Sequence, residues 1–202
     1  MRSVAGHPGV LMDALWPSAA AAREVALVAA GVLLLALSAQ LAVPLPFTPV
    51  PLTGQPFAVL LLGALYGPRR GAATVGAYLL TGALGMPVFA AGASGMARFA
   101  GPTGGYLAGH VLAAFVVGWL AERGWDRRRW TTAVAMLAGT IVIYAMGTLW
   151  LSRFVGWPNV LAAGVTPFLA GDAVKILLAI ALLPAAWRIV GGRICAARDA
   201  VR

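Results

Sequence analysis

An all-α integral membrane protein is the fold class this sequence predicts, and three observations carry the prediction. Sixty-one per cent of its 202 residues are hydrophobic and only 10% are charged, whereas charged residues make up about a quarter of a soluble domain. The mean hydropathy is +0.87. Apolar runs recur along the chain, and a spanning helix needs roughly 20 such residues. The expected architecture is six transmembrane helices with proline- and glycine-rich outer loops, forming a single membrane domain over residues 1–202. Residues 1–22 are a cytoplasmic lead-in, 23–187 the six-helix bundle and 188–202 a basic cytoplasmic tail.

The lead-in is not signal-like, because His7, Asp13 and two prolines stand where an apolar core belongs. A short interfacial turn is expected around Leu11 to Trp16. The first span covers 23–43. Ala22, Ala26 and Ala30 recur every four residues, with Ala29 and Gly31 beside them, so one side of this helix is nearly free of protruding side chains. Small residues at such spacing let membrane helices approach closely. The stripe either docks a partner or packs inside the bundle.

Prolines at 44, 46, 49, 51 and 56 then forbid a helix, since each removes a donor and biases its predecessor to extended backbone. Irregular backbone near membrane depth survives where it is buried in protein or lines a cavity. Thr48, Thr53 and Gln55 are the polar contacts such a cavity would receive from this loop; the alternative is a rigid extracellular connector with nothing to bind. The second span, 56–66, is short, and the third covers 71–86. Between Gly85 and Tyr106, seven further prolines and glycines allow close approach to a small ligand or positive φ. They form no phosphate cradle, because no Gly-Lys-Ser or Gly-Lys-Thr follows. Arg98 is the only charge in this loop; its guanidinium suits a carboxylate through paired hydrogen bonds, and the alternative is a solvated loop arginine.

The fourth and fifth spans are read at 104–121 and 131–151. The sixth, 168–187, begins with Thr166 as N-cap and Pro167 in the first turn. It contains Asp172 and Lys175, the only lysine of the chain. An ionisable side chain at membrane depth is costly unless it meets a partner, a cavity or a ligand. Three residues apart, the two share a helix face, where an acceptor and a donor can act together on a polar solute. The alternative is an ion pair that only ties helices together.

Charge sets the orientation. With both termini cytoplasmic, the inner segments carry Arg2, Arg23, Arg69, Arg70, Arg123, Arg127, Arg128, Arg129, Arg188, Arg193, Arg198 and Arg202. The outer loops carry only Arg98 and Arg153, which is a strong positive-inside bias. A ligand would then reach Asp172 and Lys175 from outside. The net charge of +9 does not imply a nucleic-acid partner, because the arginines are neither on one helix face nor interleaved with aromatics. The single Cys195, in the tail, predicts no disulfide and no metal cluster, and no cofactor is expected.

Four motifs occur in order: Thr48-Pro-Val-Pro-Leu-Thr53, Gly67-Pro-Arg-Arg-Gly71, Gly85-Met-Pro-Val-Phe-Ala-Ala-Gly92 and Gly101-Pro-Thr-Gly-Gly-Tyr-Leu-Ala-Gly109. From about Ala26 to Lys175 the chain resembles the BioY family, the biotin-specific S components of energy-coupling factor transporters. The resemblance implies six helices, an outward-facing vitamin pocket roofed by loops, and a place in the bacterial cytoplasmic membrane. It also implies partnership with a transmembrane coupling protein and two cytoplasmic ATPases, met through an alanine-lined first helix. The family's Asp-x-x-Lys ligand contact maps onto Asp172 and Lys175. Ala93 and Leu107 stand where relatives present polar or basic side chains, which leaves Arg98 to hold the acid end of biotin with Ser94 as a hydroxyl helper. His110, where an apolar or aromatic residue is expected, is read as a packed or interhelical histidine.

The chemistry of biotin fits these residues. Its ureido head offers two N–H donors and a carbonyl, so Asp172 accepts while Lys175 donates, and Tyr106, Phe89 and Phe99 enclose the ring and acyl chain. Another small polar vitamin is the alternative ligand. The expected function is not enzymatic. An intramembrane hydrolase built on Ser94, His110 and Asp172 would need a serine bonded to an oriented base, whereas this serine lies in a glycine loop and Asp172 has Lys175 at hand. A passive scaffold subunit would bind no ligand saturably. For the topology, cysteine scanning with an impermeant thiol reagent should label position 98 from outside and leave position 128 protected. The reverse pattern would place Asp172 near the inner face and defeat the site as well.

Overall fold

The computed structural model describes residues 9–18 and 20–199, without the side chains of 192–199. The features expected of residues 1–8 and 200–202, and the Cys195 side chain, lie outside the described residues. Helices run in the order α1 (Leu11–Leu15), α2 (Ala21–Gln40), α3 (Gln55–Tyr66), α4 (Pro68–Ala83), α5 (Ala97–Ala100), α6 (Gly104–Glu122), α7 (Arg129–Val155), α8 (Val160–Gly164) and α9 (Leu169–Asp199). Each predicted span falls on one of the longer helices. Four stretches are long and apolar enough to cross a membrane: Ala21–Gln40, Gly104–Glu122, Arg129–Val155 and Trp157–Gly191. With 12 residues, α3 is short for a span.

Residues 188–199, expected as a basic cytoplasmic tail, are helical and extend α9 past Pro184 in its interior. Two local expectations are corrected. Thr166 does not cap α9. It opens a 3-10 turn instead, and its hydroxyl donates to the Leu161 carbonyl at 3.2 Å. The proline loop is not wholly irregular, since its ends pair as the antiparallel strands β1 (Ala42–Val43) and β2 (Leu52–Thr53).

Glycines set how closely the helices pack. In α6, a Cβ at Gly105 would collide with Trp150 and the Met146 carbonyl of α7. One at Gly118 would collide with the backbone of Gly67. Small residues at helix crossings suit a membrane bundle, where close contact replaces the hydrophobic drive. The Tyr106 ring lies where a side chain at Gly147 of α7 would stand, so this crossing also fixes an aromatic group of the candidate site.

The buried face of α2 carries Arg23, Leu27, Gly31, Leu35 and Ala39. Ala22, Ala26, Ala29 and Ala30 are exposed on the other side. The stripe therefore does not pack inside the bundle, and Gly31 does not belong to it: a Cβ there would meet Thr74.

At the end opposite the proline and glycine loops, α1, α2 and α4 are joined by an ion-pair network. The Arg23 guanidinium, 5% exposed, donates to Asp13 at 2.8 Å and to Glu24 at 3.1 Å. Arg70 donates to Glu24 at 2.7 and 3.0 Å and to Asp13 at 3.2 Å. A buried guanidinium needs such partners. Arg23 and Arg70, read from sequence only as orientation signals, thus also hold α1 against the bundle, with Val10 and Leu11 buried beneath it.

The turn between α6 and α7 is anchored at the same end. Asp126 is buried and accepts from Trp187 Nε1 of α9 at 2.5 Å, and the Arg127 guanidinium lies over the Trp187 ring. Burial pushes the Asp126 carboxyl from 3.8 up to about 6, against the lowering effect of the Trp187 bond and of Arg127. A carboxyl raised in this way holds its proton more tightly when folded. Stability therefore falls as pH rises through the window from 3.8 to about 6. Asp126→Asn keeps an acceptor for Trp187 but cannot ionise, so it should be more stable than the wild type at neutral pH, by on the order of 1–3 kcal/mol. That gain should vanish below the window, as read by denaturation in detergent. A difference independent of pH would mean that Asp126 does not titrate there.

Candidate functional site

A cavity of about 580 Å³ lies at the end of the bundle that carries the proline and glycine loops. Its size is within the roughly 300–1,000 Å³ usual for small-molecule sites. One wall is the proline loop and the start of α3, from Pro49 to Thr53 with Gln55. Another is the glycine loop and α5, including Phe89, Ala93 and Arg98. Helix α6 contributes Tyr106, Leu107 and His110, α7 contributes Thr140, Ile143 and Tyr144, and α9 contributes Asp172 and Lys175, with Phe168 just before it.

The Asp172 and Lys175 side chains meet as the sequence spacing predicts, with Lys175 Nζ donating to Asp172 Oδ1 at 2.9 Å. They are 11% and 18% exposed, so the pair is largely withdrawn from solvent yet borders the cavity. A third group joins it. The Tyr144 hydroxyl of α7 donates to Asp172 Oδ2, which leaves each carboxylate oxygen engaged once and fixes the carboxylate plane between two helices. Lys175 has further donors to offer, since an ammonium carries three.

The other predicted contacts divide. Gln55 is buried, lines the cavity and donates from Nε2 to the Tyr78 hydroxyl at 2.7 Å, while Tyr78 donates to the Val88 carbonyl at 2.9 Å. This chain ties the start of α3 to the glycine loop. Tyr106 lines the cavity with its ring and donates its hydroxyl to the Gly164 carbonyl at 2.8 Å. Phe89 lines it too, held edge-on by Tyr78 and by Phe99, with centroids 5.6 and 5.9 Å away. Phe99 itself supports Phe89 rather than facing the cavity. Thr53 borders the space, but the buried Thr48 hydroxyl donates to the Ala163 carbonyl at 2.7 Å and has a structural role.

Arg98, on α5, is exposed and borders the cavity, with no ion-pair partner among the described residues. Ser94 is exposed and is not among the lining residues, which corrects its expected place beside Arg98. Ala91, Gly92 and Gly95 around Ser94 have positive φ, and the chain returns to the cavity wall at Ala97 and Arg98. The serine, histidine and aspartate of a hydrolase are therefore not assembled as a hydrogen-bonded relay. Ala93 and Leu107 do line the cavity, so the two apolar departures from the motif lie where a ligand would touch them.

Tyr144 is the residue that sequence reading missed. A tyrosine among the apolar residues of α7 resembles any other aromatic of a spanning helix. The only available signal is that a phenolic hydroxyl buried in such a helix needs a partner.

Known proteins similar to this chain bear on its family and fold. Residues 12–192 match the BioY family model. The probable biotin transporter BioY of Pyrococcus horikoshii is 42% identical over 159 residues, covering 79% of this chain and 93% of that protein. The biotin transporter BioY of Rhizobium etli is 39% identical over 145 residues, 68% and 78% of the two chains. Among solved structures, the S component for biotin from an ECF-type ABC transporter superposes with a TM-score of 0.71 at 26% identity, covering 85% of this chain and 95% of that one. This chain belongs to the BioY family.

Proposed function

We propose that the chain captures biotin in the cavity described above and serves as the substrate-specific S component of an energy-coupling factor transporter for biotin uptake. The carrying observation is the Asp172–Lys175 pair, closed by Tyr144 and bordering a mostly apolar space. Family membership and the biotin-named relatives support the same reading. Asp172 accepts from the ureido head, and Lys175 donates to the ureido carbonyl with a donor not used on Asp172. Tyr106 and Phe89 flank the ring and chain, Gln55 supplies a polar edge, and Arg98 takes the carboxylate at the loop end. Ser94 has no part in this scheme.

The six helices α2, α3, α4, α6, α7 and α9 cross the bacterial cytoplasmic membrane, with both termini and the arginine-rich end inside and the cavity opening outward. The chain carries no nucleotide motif, so a transmembrane coupling protein and two cytoplasmic ATPases supply the energy. The exposed stripe of Ala22, Ala26 and Ala30 is the docking face for the coupling protein. Its outward direction in α2 supports this assignment, and small side chains permit close helix approach.

The site is tested by equilibrium binding of biotin to purified variants. Asp172→Asn and Lys175→Met each leave a desolvated partner unpaired, so each should weaken binding by about 2–5 kcal/mol, well over tenfold. Near-wild-type affinity for both, in folded protein, would leave the pair only a packing role. For Arg98→Ala the loss should be smaller and should disappear with biotinamide, whose acid is blocked. Equal losses for acid and amide would remove Arg98 as the carboxylate partner. For the docking face, Ala26→Trp with Ala30→Trp should preserve biotin binding while abolishing co-purification with the coupling protein. A variant that still assembles would send the docking surface elsewhere.

A further inference from the structure

One titratable side chain of the cavity has no task in the scheme above. His110 lies in α6, one helical turn after Tyr106, and is 4% exposed. Its buried neighbours on the same helix, Leu107, Ala113 and Ala114, are apolar, so the packing environment alone favours a hydrophobe. Yet His110 borders the cavity together with Thr140, Tyr144, Asp172 and Lys175. Its Nδ1 is buried with no hydrogen-bond partner among the described residues. Native proteins rarely leave such an atom unpaired. It has no surface open to the cavity, so pairing it with an arriving group takes a rotation of the imidazole about its broad χ2 toward the space that the side chain already borders.

Depth selects which part of a ligand it meets. His110 stands six residues past the start of α6 at Gly104, about 9 Å along the helix axis. Arg98 precedes that start on α5, whereas Asp172 and Lys175 lie within the first two turns of α9. The histidine thus belongs to the layer of the ion pair and not to the loop end. Both oxygens of Asp172 already accept, one from Lys175 and one from Tyr144. A ureido head brings two N–H donors into this layer, so a second acceptor is needed there. An uncharged imidazole offers one acceptor and one donor.

We propose that His110 is a specificity-determining ligand contact, whose Nδ1 accepts a hydrogen bond from one ureido N–H of the bound molecule beside Asp172 and Lys175. The assignment rests on the biotin reading and adds a residue to it. It gives the chain a polar contact at a position where the motif resemblance leads one to expect an apolar or aromatic side chain.

The test is titration of the purified full chain with biotin, with biotin methylated on either ureido nitrogen, and with biotinamide. His110→Leu should lower affinity for biotin by about tenfold or more. His110→Asn, which returns an oxygen acceptor near the Nδ1 position, should stay within about threefold of the wild type. The leucine penalty should vanish for one of the two N-methyl isomers, in which the N–H facing His110 is gone, and persist for biotinamide. Unchanged biotin affinity in folded His110→Leu would overturn the proposal. So would a penalty of equal size for every ligand, or a His110→Asn variant as weak as the leucine one, because either would report packing. Failure of the wild type itself to bind biotin would overturn the proposal together with the reading beneath it.

Discussion

The burial of the Asp172–Lys175 pair is the constraint on which the rest of the candidate site depends. A carboxylate and an ammonium withdrawn from water lose more hydration than their mutual attraction returns unless further hydrogen bonds complete them. Tyr144 supplies one of these. As an element of stability alone such a pair is a weak investment, since apolar side chains of similar volume often serve a fold as well. What distinguishes this pair is its position, at the edge of a cavity whose other walls are mostly apolar. There its unused donors and lone pairs are available to a solute.

The helix packing follows from holding that pair in place. Tyr144 reaches Asp172 because α7 runs beside α9, and α7 is set in turn by the glycines of α6, which bring the two backbones close at Gly105 and again at Gly109. The same crossing seats the Tyr106 ring against Gly147 and points its hydroxyl to Gly164. One close helix contact therefore positions groups from α6 and α7 around the ion pair of α9. Across the cavity, the Gln55–Tyr78–Val88 hydrogen-bond chain joins the proline loop to the glycine loop. Phe89 is wedged between Tyr78 and Phe99, so the loops that roof the space are tied to helices rather than resting on them.

The helices and the ion pair were legible in the sequence for a simple reason. Apolar runs of spanning length and a charged pair at i, i+3 inside one of them have few other physical solutions in a membrane. The glycine pair before Tyr106 was harder to read. Its spacing suggested backbone approach to a ligand, but Gly104 and Gly105 serve contact with Phe99 and with Trp150 of α7, which only the three-dimensional crossing reveals. Ser94 misled because loop direction depends on positive-φ residues that a sequence does not mark, here including Ala91. Thr166 carried a cap signature but found the Leu161 carbonyl first. The roles of Arg23 and Arg70 were half visible: their charge indicated a membrane side, while their pairing with Asp13 and Glu24 required α1 to fold back on the bundle.

The central claim is that a biotin ureido head lies against the carboxylate of Asp172. The most direct measurement is a solid-state NMR distance between ureido nitrogens of 15N-labelled biotin and the 13C-labelled side-chain carboxyl of Asp172, in purified protein saturated with ligand. A hydrogen bond from nitrogen to a carboxylate oxygen places one ureido nitrogen within about 4 Å of the carboxyl carbon, giving strong dipolar dephasing that Asp172→Asn relabelling confirms by its loss. Saturated biotin with no dephasing at Asp172 would contradict the account, because the ligand would then be held by some other part of the molecule.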